Sequence, residues 1–305
     1  MKLTRRTLIT SAMATGATAA LGQRLWANTT LEAGTTRIDT LSDGNLVLPG
    51  DFILGPMPEE EAAAILADYG LGTDELTPDC NLTLLRDGTN TVVFDAGSGA
   101  NFQPTAGRIW DALDAIGLDP GDVTHVVFTH AHPDHLWGVL DDFDEPVFFN
   151  ATHMMGAAEH AYWTDPATVD TIGQERLAFA AGAARYLEAI ANGLVLFEDG
   201  DEVLPGVTAR MTPGHTPGHM SFDVTVGDGI VTVIGDAIGN HHVAFARPQW
   251  PSGSDQDQPL AAQTRVALME DFAASGRSFV GFHLPAPGIG TAEKDGEGYR
   301  FVPAT

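Results

Sequence analysis

Four stretches of this chain put metal-binding side chains where an apolar run stops. "THVVFTHAHPDH" supplies His130, His132, Asp134 and His135, and "TPGHTPGH" supplies His215. "VIGDA" supplies Asp236, and "VGFH" supplies His283. Short apolar runs bounded by glycine and proline read as buried strands. Rigid strand ends are where a fold can hold ligands in fixed geometry. Side chains two apart on a strand point the same way, so His130 and His132 can reach one point. Pro133 then turns the chain, so Asp134 and His135 need not face the same ion. Imidazole nitrogen with carboxylate oxygen suits zinc and similar first-row divalent ions.

The rest of the chain fits around these ends. Residues 36–54 read as short strands and turns, and 57–70 as a helix with acids at its start and Gly70 at its end. "CNLTLLRDGTNTVVFDAGSG" reads as a hairpin, and 104–118 as a helix. "EPVFFN" at 145–150 reads as a strand, and the alanine-rich stretches 152–163 and 173–192 as helices. Residues 206–237 give three strands, 259–276 a helix, and 277–283 and 298–303 further strands. The order is β-rich, αβ, β-rich, αβ. That order predicts an α/β (α+β) chain with two packed sheets and helices outside, a four-layer αββα sandwich.

Composition narrows the partners. The formal charge is −26, from 15 basic and 41 acidic residues, and the only lysines are Lys2 and Lys294. Such a surface repels polyanions, which argues against nucleic acid and against strongly anionic substrates unless metal reverses the local field. Adaptation to salty surroundings, where excess acid keeps a protein dissolved, accounts for more of the charge than any partner does. The single cysteine, Cys80, excludes an intramolecular disulfide and reads as a small buried hydrophobe. Lys2, Arg5 and Arg6 precede an apolar, small-residue stretch, and no acid occurs before Glu32. Residues 1–28 therefore read as an export signal resembling the twin-arginine type, with a periplasmic destination. Residues 29–305 read as a single catalytic domain with no segment fit for stable membrane insertion.

The ordered set H-x-H-x-D-H, G-H-T-x-G-H, G-D and a final histidine resembles the metallo-β-lactamase superfamily. The resemblance implies two divalent ions, most simply zinc. One would be held by His130, His132 and His215, the other by Asp134, His135 and His283, with Asp236 between them. It implies a hydroxide shared by the ions as nucleophile. Asp134 and Asp236 are the catalytic candidates: Asp236 between the ions, and Asp134 able to accept the hydroxide's proton and pass it on. His219 is not a ligand in that pattern and reads as a hydrogen bonder in its turn. Asp95, in "VVFDAGSG", matches an acidic residue that holds a ligand histidine in one tautomer. On its own it reads equally as a strand-end turn aspartate.

"FHLPAPGIG", "GEGYRFVP", "NFQPTAGRIWDALDAIGL" and "VAFARPQW" resemble the methyl parathion hydrolase and lactonase-like branch, over about residues 80–303. That branch implies a hydrolase of neutral lactones, esters or phosphotriesters in an aromatic pocket, and a homodimer. Phe102 and Trp163 would line the pocket by motif, although each alone reads as core. Phe179 is a further wall that no motif anchors. His241 and His242 reach either the pocket or a solvated strand edge, and the polar "GNHH" departs from methyl parathion hydrolase. His153 and His160 read as structural. His132 stands where redox members carry glutamate, which favours hydrolysis. A mononuclear iron sulfur dioxygenase, or a thioesterase, keeps the same histidines and is the alternative.

Overall fold

The computed structural model describes residues 27–304. The export-signal reading of residues 1–28 falls, but for its last two residues, outside them.

The first half of the chain runs β1 (Ala27–Ala33), β2 (Thr36–Asn45), β3 (Leu48–Pro49), α1 (Gly50–Leu54), α2 (Glu59–Asp68), β4 (Glu75–Leu76), β5 (Asp79–Arg86) and β6 (Thr91–Phe94). It continues through α3 (Ile109–Ala115), β7 (His125–Phe128), α4 (Pro133–Leu136), β8 (Thr152–Gly156), α5 (Ala157–Thr164), α6 (Thr168–Thr171), α7 (Leu177–Ile190) and β9 (Val195–Phe197). The second half runs β10 (Glu202–Leu204), β11 (Val207–Met211), β12 (Met220–Val226), β13 (Gly229–Val233), α8 (Val243–Ala246), α9 (Gln258–Ser275), β14 (Phe279–Val280), β15 (Ile289–Asp295) and β16 (Gly298–Pro303).

Strands β1, β2, β5, β6, β7, β8 and β9 form one seven-stranded sheet, and β10 to β16 form another in sequence order. Strand alternation explains the layering. On β7, Val126 and Phe128 face the helices, where they pack with Leu113 of α3 and Leu187 of α7. Val127 between them faces the other sheet, in a core with Met220, Phe222 and Val233. The second sheet buries its other face against α9 through Leu268, Met269 and Phe272. This is the expected αββα sandwich. Cys80 is a buried free thiol within the first helix-facing core. Among the described residues, no helix is long and apolar enough to cross a membrane.

Two local expectations are corrected. Residues 145–150 make a single β-bridge, Leu140 to Pro146, and then turn, with Phe148 buried and Phe149 two-thirds exposed. The strand is β8, seven residues later, in a stretch read as helix from its alanines. Its His153, Met154 and Met155 pair in parallel with Val126, Val127 and Phe128. Met154 fills the inter-sheet core and Met155 the helix-side core, a two-sided burial that overrides helix propensity. Strands β9, β10 and β15 also lie outside the sequence reading; β9 and β10 are only three residues each, too short to show a period.

Candidate metal centre

The seven residues singled out by sequence converge at one edge of the sandwich. His130 follows β7, and His132 is the N-cap of the one-turn helix α4. Pro133 occupies the first position of that helix, where its missing N–H costs nothing. The turn sends Asp134 and His135 in a new direction. From the other sheet, His215 comes from the β11–β12 loop, Asp236 from just past β13, and His283 from just past β14. All seven are buried.

Their donor atoms fall into two groups. His130, His132 and His215 form one; Asp134, His135, Asp236 and His283 form the other. Asp236 touches both. Its Oδ1 lies 3.3 Å from His135 Nε2, and its Oδ2 lies 3.3 Å from His215 Nε2 and 3.2 Å from His283 Nε2. Asp134 Oδ2 lies 3.2 Å from His283 Nε2.

The donor set fits a pair of cations. His130 Nε2, His135 Nε2, Asp134 Oδ2 and Asp236 Oδ1 are buried and make no hydrogen bond. Buried polar atoms rarely go unpaired, and four in one cluster point to a ligand. The electrostatics agree. Burial, with neighbouring His135 and His215, holds His130 and His132 well below the ordinary imidazole range, in the neutral form that binds metal. Burial also lowers His135, but Asp236, Asp134 and Asp95 outweigh it and raise it to about 10. The carboxylates thus demand positive charge where these nitrogens meet.

Outer contacts fix the rings. Asp95 Oδ2 accepts from His135 Nδ1 at 2.8 Å, while Oδ1 accepts the Thr129 N–H at 2.7 Å. Asp95 itself sits at φ 66°, an uncommon backbone state that aspartate tolerates. The Asp79 carbonyl accepts from His283 Nδ1 at 2.8 Å. Asp255 accepts from His215 Nδ1 at 3.1 Å and pairs with Arg265. His219 faces away from the cluster's donor atoms: its Nε2 accepts the Asp236 N–H at 3.0 Å, and its Nδ1 bonds Thr212 Oγ1. Gly235, at φ 50°, is required there, because a Cβ would lie 2.7 Å from His219 Nε2.

A cavity of about 270 Å³ opens above the two groups, with His132, Asp134, His215, Asp236 and His283 in its floor. Its walls are mainly apolar: Leu46, Leu48, Phe52, Ile53, Phe102 and Phe179. His241 and His242 also line it, their ring centroids 3.7 Å apart at a tilt of 45° and both met edge-on by Tyr69. Burial pushes them down to about 4 and about 3, so both are neutral. Trp163 does not line the cavity. It is 1% exposed, packed edge-on beneath the His132 ring at 5.7 Å. Phe102 does line the cavity, and Phe179, the wall without a motif, stands beside it. His153 is buried in β8 and His160 lies on α5, both outside the cavity.

Sequence reasoning missed Glu159. It is fully buried on α5, and its carboxylate accepts from Ala131, Trp163, Thr216 and Gly218. The only hint in the sequence is its i, i+4 spacing to Trp163.

A profile of the metallo-beta-lactamase superfamily matches residues 77–272. The chain is 26% identical to an N-acyl homoserine lactonase of a Bacillus species over 197 residues, which are 62% of this chain and 66% of that protein. It is 33% identical over 117 residues to N-acyl homoserine lactonase AttM of Agrobacterium fabrum, covering 37% of this chain and 40% of that one. The matches thus span just under two-thirds of the first relative and two-fifths of the second. Among solved structures, AidC, a dizinc quorum-quenching lactonase, superposes with a TM-score of 0.85 at 22% identity, over 92% of this chain and 99% of its own. The hydrolase AbOPH gives 0.85 at 26% identity, over 93% and 99%.

Proposed function

Because the chain belongs to the metallo-beta-lactamase superfamily, we propose that it is a metal-dependent hydrolase that opens uncharged lactones, with aryl esters and phosphotriesters as further substrates. The observation that carries this reading is Asp236 touching both donor groups in the floor of an apolar cavity. The lactonase relatives and the dizinc neighbour support the same chemistry and suggest zinc.

His130, His132 and His215 would hold one ion; Asp134, His135 and His283 the other; Asp236 would be shared. Two such ions supply Lewis acidity and a water acidic enough to react near neutral pH. Leu48, Phe52, Phe102 and Phe179 receive the apolar part of the substrate and exclude water from it. Ring opening adds one water across the ester C–O bond: its oxygen joins the carbonyl carbon, and a proton ends on the departing alkoxide. Asp134 lies in the cavity floor, where its carboxylate would carry that proton.

The test is metal content and turnover of purified protein on lactones, aryl esters and phosphotriesters, beside Asp236→Ala. The expected result is two ions per chain, lactone hydrolysis, and loss of both in the variant. Two bound ions with no turnover of any substrate, or an Asp236→Ala protein with normal rate and metal, overturns the reading.

A further inference from the structure

Glu159 lies outside both donor groups, yet its four hydrogen bonds all end on the scaffold of one of them. Oε1 accepts the Ala131 N–H at 3.0 Å and the Trp163 indole N–H at 2.6 Å. Oε2 accepts the Thr216 hydroxyl at 2.7 Å and the Gly218 N–H at 3.0 Å. Ala131 is the residue between His130 and His132. Thr216 follows His215, and Gly218 closes the same loop. Trp163 packs beneath the His132 ring. One carboxylate therefore ties the loop of the first sheet to the loop of the second, at the place where His130, His132 and His215 meet. No bond from Glu159 reaches Asp134, His135, Asp236 or His283.

The fit is close. Gly218 packs so tightly on α5 that a Cβ there would lie 2.1 Å from the Glu159 backbone nitrogen. The helix start and the loop are in direct backbone contact, and the carboxylate reaches across that contact. All four partners are donors, so the side chain must be an acceptor on both oxygens. Glutamine keeps the shape but turns one oxygen into an N–H₂ group facing two donors.

We infer that Glu159 is a positioning residue for the His130–His132–His215 group alone, setting the affinity of that one metal position and leaving the other untouched. The inference rests on the reading that the two groups hold metal. Outer partners of metal ligands commonly govern affinity by about 10–100-fold. A residue that merely supported the fold would weaken both positions together.

The experiment titrates zinc or cobalt(II) into metal-stripped wild-type and Glu159→Gln full-length protein, with calorimetry and the cobalt(II) absorption spectrum as readouts. Wild type is expected to take two ions. The variant is expected to hold one at wild-type affinity and the second about 10–100-fold more weakly, with only one set of cobalt bands changed. Two ions bound as in wild type, or both weakened equally, overturns the inference. A wild-type protein that binds no ion fails the functional reading instead. Should Glu159→Gln not fold, Thr216→Val removes one of the four donors and keeps the carboxylate; it is expected to weaken the same single position, and an unchanged titration overturns the inference.

Discussion

The backbone N–H of Asp236 donates to Nε2 of His219 at 3.0 Å. That bond fixes the tautomer of His219, because Nε2 must be the bare nitrogen and Nδ1 must carry the hydrogen it gives to Thr212 Oγ1 at 2.8 Å. A neutral ring is required, and burial supplies it by lowering His219 to about 3. His219 is thus a strut for the residue shared by both groups. It stands close to the cluster, its ring 5.0 Å from that of His130, without contributing to either group.

His219→Ala is expected to keep two ions per chain at saturating metal while losing stability. The Asp236 N–H would be left buried and unpaired, which costs about 1–3 kcal/mol before any cavity is counted. Denaturant unfolding and metal content, measured together, check this. Loss of one ion at saturation would make His219 a ligand.

Phe102 and Phe179 should act on substrate affinity. Their rings lie 6.1 Å apart in the cavity wall, Phe179 also meeting the His132 ring edge-on at 5.7 Å, and offer substrate only apolar contact. Replacing either by alanine is expected to raise KM for apolar substrates about tenfold with kcat little changed, since about 1.4 kcal/mol of uniform binding is removed. Trp163→Ala is expected to behave oppositely. It empties a core site and releases a partner of Glu159, so stability falls by about 3–5 kcal/mol. Steady-state kinetics beside thermal melts separate the two classes.

His153 predicts a pH dependence of folding. It is buried in β8, stacked on Phe128, with Nε2 making no hydrogen bond, and burial lowers it to about 4. Above pH ~6.5 both folded and unfolded chains carry a neutral ring, and it has no effect. As pH falls below that value the unfolded chain takes up a proton that the folded chain refuses, so stability drops. The drop ends near pH 4, where the folded ring protonates too. His153→Phe is expected to lessen the loss between about pH 7 and about pH 5 by on the order of 2 kcal/mol. Chemical denaturation at the two pH values measures it, and equal slopes in both proteins would refute the assignment.

The ligand positions were legible because each lies in a loop or short turn that follows a strand end, and strand ends show in sequence as apolar runs stopping at glycine or proline. His130 and His132 even share the two-residue period that aims them together. Glu159 was not legible. Its partners Ala131, Thr216 and Gly218 lie 28 to 59 residues away, and an acid in a short helix reads as solvated surface. Phe179, a wall with no motif behind it, does line the cavity, whereas Trp163, placed there by motif, is buried beneath His132. An aromatic residue on a helix shows which side it faces only once the cavity is seen. Strand β8 was misread because the alanines of α5 follow it directly, and only the parallel pairing with β7 separates the two. The pocket is built by contacts across the fold, whereas the floor is built by local endings of strands.

The two sheets contribute unequally to that floor: His130, His132, Asp134 and His135 from the first, His215, Asp236 and His283 from the second. Neither half of the chain can therefore assemble either donor group alone. Ions held between them would report that the two halves have met in the correct register. A chain with its halves misdocked would keep every histidine and lose both donor groups.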